Sequence, residues 1–289
     1  MPSRQQIKGR IKSVRSTRQI TKAMELVSAS RMRRAQELAK RTRRYAEAAG
    51  DVLSNLRSQV ALESYQLFAA RRVKARLLIV IASDRGLAGA YNSNALRMYL
   101  GELKKDRAAG VKSYTIAIGR QAANFAARLS EANIVEVYKN LPDQPTAHTL
   151  QPIIASSVRQ FIAGKVDAVD IIYTHSFSSI RQEVQSVRLL PAGFTQSPAS
   201  KIFNTAAFEP SAKIVLRTAT RRLIEVQLMQ TMLESIASEH SMRMLAMKSA
   251  SDNATELIDD YTLAYNNARQ AAITQELAEI TGGSEAMNS

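Results

Sequence analysis

Apolar residues between Ser3 and Gln59 recur at helical spacing: Ile7, Ile11, Val14, Ile20, Met24, Val27, Leu38, Tyr45, Val52 and Leu56. That period predicts a single helix, interrupted only by Gly9 and Gly50, with no proline between Pro2 and Pro142. At 1.5 Å per residue it would be ~85 Å long. Its apolar stripe is narrow and rich in Ala and Ser, which suits one helical partner better than a broad core. The other end of the chain supplies such a partner. Ser211 to Thr281 contains no glycine or proline and is bracketed by Pro210 and Gly282-Gly283, the start and stop signals of a second helix. Its length would be ~107 Å, against a radius of gyration of ~19 Å for a compact chain of this size. Such a helix either projects from the body or breaks, and the polar cluster Ser249–Asn253 is where a break is expected. Its stripe runs through Leu216, Leu223, Leu233, Ile236, Ile258, Tyr261, Tyr265, Ala268 and Ala272. The two helices are expected to pair as an antiparallel coiled coil. A seam so slender and Ala-rich points to an enclosing partner.

Between the helices the pattern changes. Leu77 to Ala82 is an unbroken apolar run, the mark of a buried strand. A turn at Ser83–Gly89 leads to a helix over Asn92–Arg107, a strand at Ser113–Ile118, a helix at Gln121–Leu129 and a strand at Ile134–Tyr138. A further helix near Leu150–Ala163 and a strand at Val169–Thr174 follow. This alternation predicts a mostly parallel, Rossmann-like α/β sheet. Glu183–Leu190 alternates polar and apolar residues, as an antiparallel edge strand does, and Pro191–Pro210 reads as a loop. The fold class is α/β plus a long antiparallel coiled coil. Its expected domains are residues 1–70 (N-terminal helix), 71–209 (central domain) and 210–289 (C-terminal helix).

Composition narrows the chemistry. The chain has no Cys, which excludes disulfides, thiol catalysis and Cys-based metal sites. No apolar run approaches the ~18–20 residues that span a membrane. The basic N-terminus has no apolar segment or cleavage site of the kind that targeting peptides carry, and it reads as part of the mature fold. The net charge is +15, of which +11 falls in residues 1–50, with 14 Lys/Arg against Glu25, Glu37 and Glu47. The segment 211–281 is mildly negative, with seven basic and nine acidic side chains. A basic helix calls for an acidic partner, whether nucleic acid, anionic lipid or acidic protein.

No active site is visible. Gly86-Leu87-Ala88-Gly89 sits between a strand and a helix, where phosphate loops occur, but it lacks the Lys-Ser/Thr ending and the third glycine of the known fingerprints. A tight turn is the default reading. His148, His175 and His240 lack metal-ligand spacing, and Asp259-Asp260 suits a solvated helix face. The cluster Arg31, Arg33, Arg34, Lys40, Arg41, Arg43 and Arg44 could coat a phosphate backbone. Tyr45 is its only aromatic, however, and base stacking needs several. Met242, Met244 and Met247 form an adaptable packing patch.

Two long motifs resemble those of one family. Ile7–Val14 followed by Thr17–Val27 is similar to the N-terminal helix of the gamma subunit of F-type ATP synthases, and Ala264–Leu277 is similar to that family's closing signature. Ser83–Leu87 resembles its central turn and Met247–Asn253 its mid-helix motif. The resemblance implies a rotor shaft inside three alpha and three beta subunits, coupling ion flow through a membrane ring to conformational cycling of the catalytic beta subunits. It implies no active site, metal or cofactor in this chain, and no nucleic-acid partner. Lys22, Met24, Arg33, Arg34, Arg269, Gln270 and Thr274 would meet alpha and beta subunits. Ala271, Ile273, Leu277 and Ile280 would turn as an apolar tip in a bearing. Phe203, Phe208 and Glu209 would lie in the foot that faces the membrane c-ring and the epsilon subunit.

The chain also departs from the family pattern. Ala88 and Ala90 stand where many members carry Cys and Gly, and the foot is poorer in tyrosine and tryptophan. The plastid regulatory cysteines and a transit peptide are absent. Those absences imply a bacterial protein, peripheral on the cytoplasmic side of the inner membrane. An enzyme would need a phosphate-binding Lys or a metal carboxylate near Gly86, and a nucleic-acid protein would leave the acidic C-terminal helix unexplained.

Overall fold

A computed structural model describes residues 3–56, 65–178, 181–193, 209 and 211–288. Along them run α1 (Arg4–Leu56), β1 (Ala75–Ile81), α2 (Tyr91–Ala108), β2 (Lys112–Ile118), α3 (Arg120–Ala126) and β3 (Asn133–Tyr138). Then come α4 (Ala147–Ile162), β4 (Ala168–Ser176), β5 (Gln182–Leu190) and α5 (Ala212–Asn288). The chain forms two compact units. One comprises Met1–Ser28 with Met244–Ser289 and the other Ala29–Arg243, called here the helical unit and the α/β unit.

In the α/β unit the strand order is β3-β2-β1-β4-β5. β1 pairs in parallel with β2 and β4, β2 in parallel with β3, and β4 in antiparallel fashion with β5. The apolar run of β1 is buried on both faces, as a central parallel strand must be. Leu77, Ile79 and Ile81 point to one layer, with Leu150, Ile153 and Phe161 of α4 and Ile224, Leu228 and Met232 of α5. Leu78 and Val80 point to the other, with Tyr99 and Leu103 of α2 and Ala122, Ala123 and Ala126 of α3. Each buried Leu, Ile, Val, Met or Phe side chain among them contributes about 1.5–3 kcal/mol by leaving water. α4 starts earlier than its apolar pattern suggests because Thr146 and Thr149 form a reciprocal capping box.

Within this unit α1 and α5 run antiparallel. Asp143 lies against both Arg31 and His240, while Arg43 further along α1 pairs with Glu234 earlier in α5.

In the helical unit the α5 seam is Met247, Ser251, Ala254 and Ile258, all buried, continued by half-buried Tyr261, Tyr265, Ala268 and Ala272. Alternating steps of four and three are the heptad signature of helix pairing. The guanidinium of Arg10 lies 5.9 Å from the ring centre of Tyr261, a cation–π contact between α1 and α5.

Three expectations change. The helix does not break at Ser249–Asn253: Ser251 enters the seam while Lys248, Ser249, Asp252 and Asn253 form an exposed face, and a solvated polar face leaves the backbone ladder intact. Nor does Gly282-Gly283 end α5, which runs on to Asn288. A helical glycine costs ~1 kcal/mol relative to alanine, too little to stop a helix already formed. On α1, Ile20, Val27 and Tyr45 are exposed, not in the stripe, whereas Ile7, Thr21, Ser28, Met32, Ala35 and Ala39 are buried. The hydroxyls of Thr21 and Ser28 donate to Arg18 O and Met24 O of their own helix, so they enter the seam with a bond already made.

Candidate functional site

The turn after β1 is held by side chains from several elements. Ser83 N donates to Asn92 Oδ1 at 3.0 Å, and the Asp84 carboxylate accepts the backbone N–H groups of Arg120 and Asn140, each at 2.9 Å. This ties the loops after β1, β2 and β3 together. From α5, the Arg243 guanidinium reaches Arg85 O and Gly86 O at 3.4 and 3.3 Å. Tyr91 OH and Ser235 Oγ are 2.8 Å apart, Thr174 N donates to Ser235 Oγ at 3.4 Å, and Ser238 Oγ donates to Thr174 O at 3.2 Å. In open α/β sheets ligands bind outside the carboxyl ends of the strands, where the strand order reverses. Here that crevice lies between β1 and β4, and α5 fills it. Gly89 has φ +53°, the left-handed conformation that glycine adopts freely, and a Cβ added there would stand in ordinary contact with Met242 O at 3.7 Å.

The histidines take unrelated places. His175 Nδ1 lies 2.5 Å from Glu234 Oε2, and Glu234 also accepts from Arg43 at 3.0 Å. His240 is buried with Nε2 3.6 Å from Asp143 Oδ1, and His148 is exposed. Among the described residues no cluster of three His, Asp or Glu side chains suits a metal ion.

Sequence spacing gave no sign of the contacts of Asp143, which lies between β3 and α4. It pairs with Arg31 at 2.6 Å. The His240 imidazole, with Arg31 and Arg243 nearby, holds its carboxyl below the usual aspartate range. A depressed carboxylate contributes stability that is complete above its ordinary range, near pH ~4, and is lost as pH falls through its folded value. Protection of the backbone amides in residues 139–146 against hydrogen exchange, taken relative to the intrinsic rate at each pH, should therefore fall in acid. In Asp143→Asn that protection should already be low at neutral pH and lose its pH dependence; an unchanged acid profile in the variant would refute the role.

The partner-facing candidates are spread over both units. Lys22 is exposed, with an ion pair to Glu25 at 3.0 Å, and Met24 is half-buried beside it in sequence. Arg33 and Arg34 are exposed, flanked by buried Met32 and Ala35. On α5, Arg269, Gln270, Ala271 and Thr274 are exposed, and Thr274 Oγ1 donates to Gln270 O. Ile273, Leu277 and Ile280 are 46, 58 and 68% exposed. The helical unit also exposes Ile20, Leu26, Val27 and Leu263, which the apolar pattern did not single out as surface. Glu209 is exposed, and Phe203 and Phe208 lie outside the described residues. No described helix is long and apolar enough to cross a membrane.

Comparison with known proteins places this architecture. A family model described as ATP synthase matches residues 3–287. The ATP synthase gamma chain of Stenotrophomonas maltophilia is 40% identical over 289 residues, covering 99% of this chain and all of the relative. A chain of the Tetrahymena thermophila mitochondrial ATP synthase, solved with the central stalk and c-ring, matches with TM-score 0.63 and 25% identity over 80% of this chain and 99% of that one. A chain of the Euglena gracilis mitochondrial ATP synthase has the same fold, with TM-score 0.67 and 19% identity over 98% of this chain and 94% of that one. A family match over nearly the whole chain, joined to a full-length relative at this identity, establishes that the chain belongs to the ATP synthase gamma-chain family.

Proposed function

We propose that this chain is the central-stalk rotor of a bacterial F-type ATP synthase, a subunit that carries torque and no catalytic site. One observation carries the proposal: the helical unit combines a narrow heptad seam with a surface of large apolar side chains, Ile20, Leu26, Val27, Leu263, Ile273, Leu277 and Ile280. These exposed apolar side chains are read as the surface that its partners cover, as contiguous apolar patches on a protein surface are. Three alpha and three beta subunits would enclose it, meeting Lys22, Met24, Arg33, Arg34, Arg269, Gln270 and Thr274. Ile273, Leu277 and Ile280 would form a bearing in which apolar contacts permit sliding. The c-ring and epsilon subunit would hold the foot, including Phe203, Phe208 and Glu209, on the cytoplasmic side of the inner membrane. The domain reading that fits is two shaft segments, 1–70 and 210–289, around a central 71–209. An asymmetric shaft in a pseudo-threefold shell makes different contacts with each beta subunit, so each orientation favours a different nucleotide affinity at each site.

The basic face of α1 is assigned to the acidic segments of beta. Arg33 and Arg34 are exposed, and replacing both with Glu would reverse the charge without disturbing buried Met32 or Ala35. In membranes carrying the assembled complex, that variant should pump several-fold fewer ions per ATP while the α/β unit melts as before. Undiminished pumping would refute the assignment.

A further inference from the structure

We propose that Tyr91, Thr174, Ser235 and Ser238 form a hydrogen-bonded clamp that fixes the rotation of α5 relative to the sheet and carries torque between them. This proposal rests on the rotor reading and deepens it. A helix layered on a sheet presents apolar side chains, and α5 does so at Ile224, Leu228 and Met232. From there on its buried face is mixed: beside Leu233, Ile236 and Ala237, the side chains of Ser235, Ser238 and Ser241 recur every three residues and are fully buried. A buried hydroxyl is unfavourable unless it is bonded. Here each has a partner on the sheet side. Ser235 meets Tyr91 OH and Thr174 N, Ser238 donates to Thr174 O, and Gln182 Nε2 donates to Ser241 Oγ at 3.0 Å. The backbone N–H and C=O of Thr174, in β4, are thus both bonded to side chains of α5.

The physical difference from an apolar contact is direction. Hydrophobic burial resists separation of two surfaces but has no preferred angle. Hydrogen bonds weaken steeply when bent. A strip of short, hydrogen-bonded serines therefore resists turning of α5 about its own axis, which a layer of Leu and Ile would resist less. The contact occupies the crevice between β1 and β4 where a ligand would otherwise bind, so in this chain α5 itself takes the ligand's place. The clamp sits in the α/β unit, and α5 continues from it without a break to Asn288.

The test uses the complete complex with its alpha and beta subunits fixed and a bead on the α/β unit of this chain. The variants are Tyr91→Phe, which deletes one oxygen, Ser238→Ala, their combination, and the pair Ser235→Ala and Ser235→Thr. With ATP absent, the angular variance of the bead should rise about two-fold in the double variant, because two of the four directional contacts are gone. Ions pumped per ATP should fall while the hydrolysis rate stays near that of the parent. Ser235→Thr, which keeps the hydroxyl, should stay nearer the parent than Ser235→Ala. Unchanged variance in the double variant, or equal effects of Ala and Thr at position 235, would overturn the clamp and leave the rotor reading standing. A parent complex that hydrolyses ATP without turning the bead would overturn both.

Discussion

Arg76→Ala will destabilise the α/β unit by about 3–5 kcal/mol, the loss seen when one partner of a buried ion cluster is removed. Arg76 is in β1, and its side chain is only 11% exposed. It meets Glu102 at 2.9 Å and Asp106 at 2.7 Å, both on α2, and Asp170 of β4 at 3.1 Å. Burial opposes its charge, but hydrogen bonds to Asp106 and Glu102 and the negative charges of Asp106 and Asp170 outweigh it and raise its pKa. Burial likewise pushes the Glu102 carboxyl up, but hydrogen bonds from Lys105 and Arg76 bring it below the usual range. Without Arg76 the three carboxylates face one another. Lys105 and Arg188 are largely exposed and compensate only Glu102 and Asp170. Asp106 would keep only its bond from Ser113 Oγ, at 2.6 Å. Urea unfolding of the isolated chain measures the effect, with a lower midpoint at unchanged slope. For a unit of this size the melting temperature should fall by about 10 °C. A loss below ~1 kcal/mol would mean that the cluster behaves as an exposed one.

Gly119→Ala is expected to be as damaging, for a reason of geometry alone. Gly119 follows β2 with φ +91° and ψ 151°, a conformation essentially confined to glycine. A Cβ there would lie 2.0 Å from Ala82 O and 2.8 Å from Ala82 C, backbone atoms at the end of β1 that cannot move aside alone. The same position is bonded on both sides, Gly119 N to Tyr138 O at 2.8 Å and Ala123 N to Gly119 O at 3.1 Å. Relief of the overlap would open the carboxyl ends of β1, β2 and β3 together, and the loss should reach at least ~3 kcal/mol. Gly101→Ala is the matching control. It lies inside α2 with no atom within 4 Å of its added Cβ, and it should stabilise by about 0.5–1 kcal/mol. Equal unfolding midpoints for the two variants would contradict this account.

What could be read from the sequence was what depends on neighbours along the chain. Helical periodicity without proline marked α1, a long stretch without glycine or proline marked α5, the run Leu77–Ala82 marked β1, and the alternation of β5 marked an edge strand. The seam of α1 was harder, because it is built from Thr21, Ser28 and Ala35 at seven-residue spacing while the larger Ile20 and Val27 face outward. A hydrophobicity pattern favours the large residues, whereas this seam is made of small ones that pack close to the neighbouring helix. The Arg76 cluster and the serine strip were illegible for another reason. Their members are brought together by the sheet from positions 26 to 144 residues apart, and buried Asp or Ser reads locally as solvent-facing.

The rotor assignment itself is tested most directly by watching this chain turn. The protein contains no cysteine, so Lys104→Cys on the exposed side of α2 supplies one thiol for a probe. With this chain assembled with alpha and beta subunits, and the complex immobilised through beta, the account predicts steady rotation of the probe in one direction when ATP is added, and none without it. ATP turnover by the same complexes with the probe stationary would contradict the account.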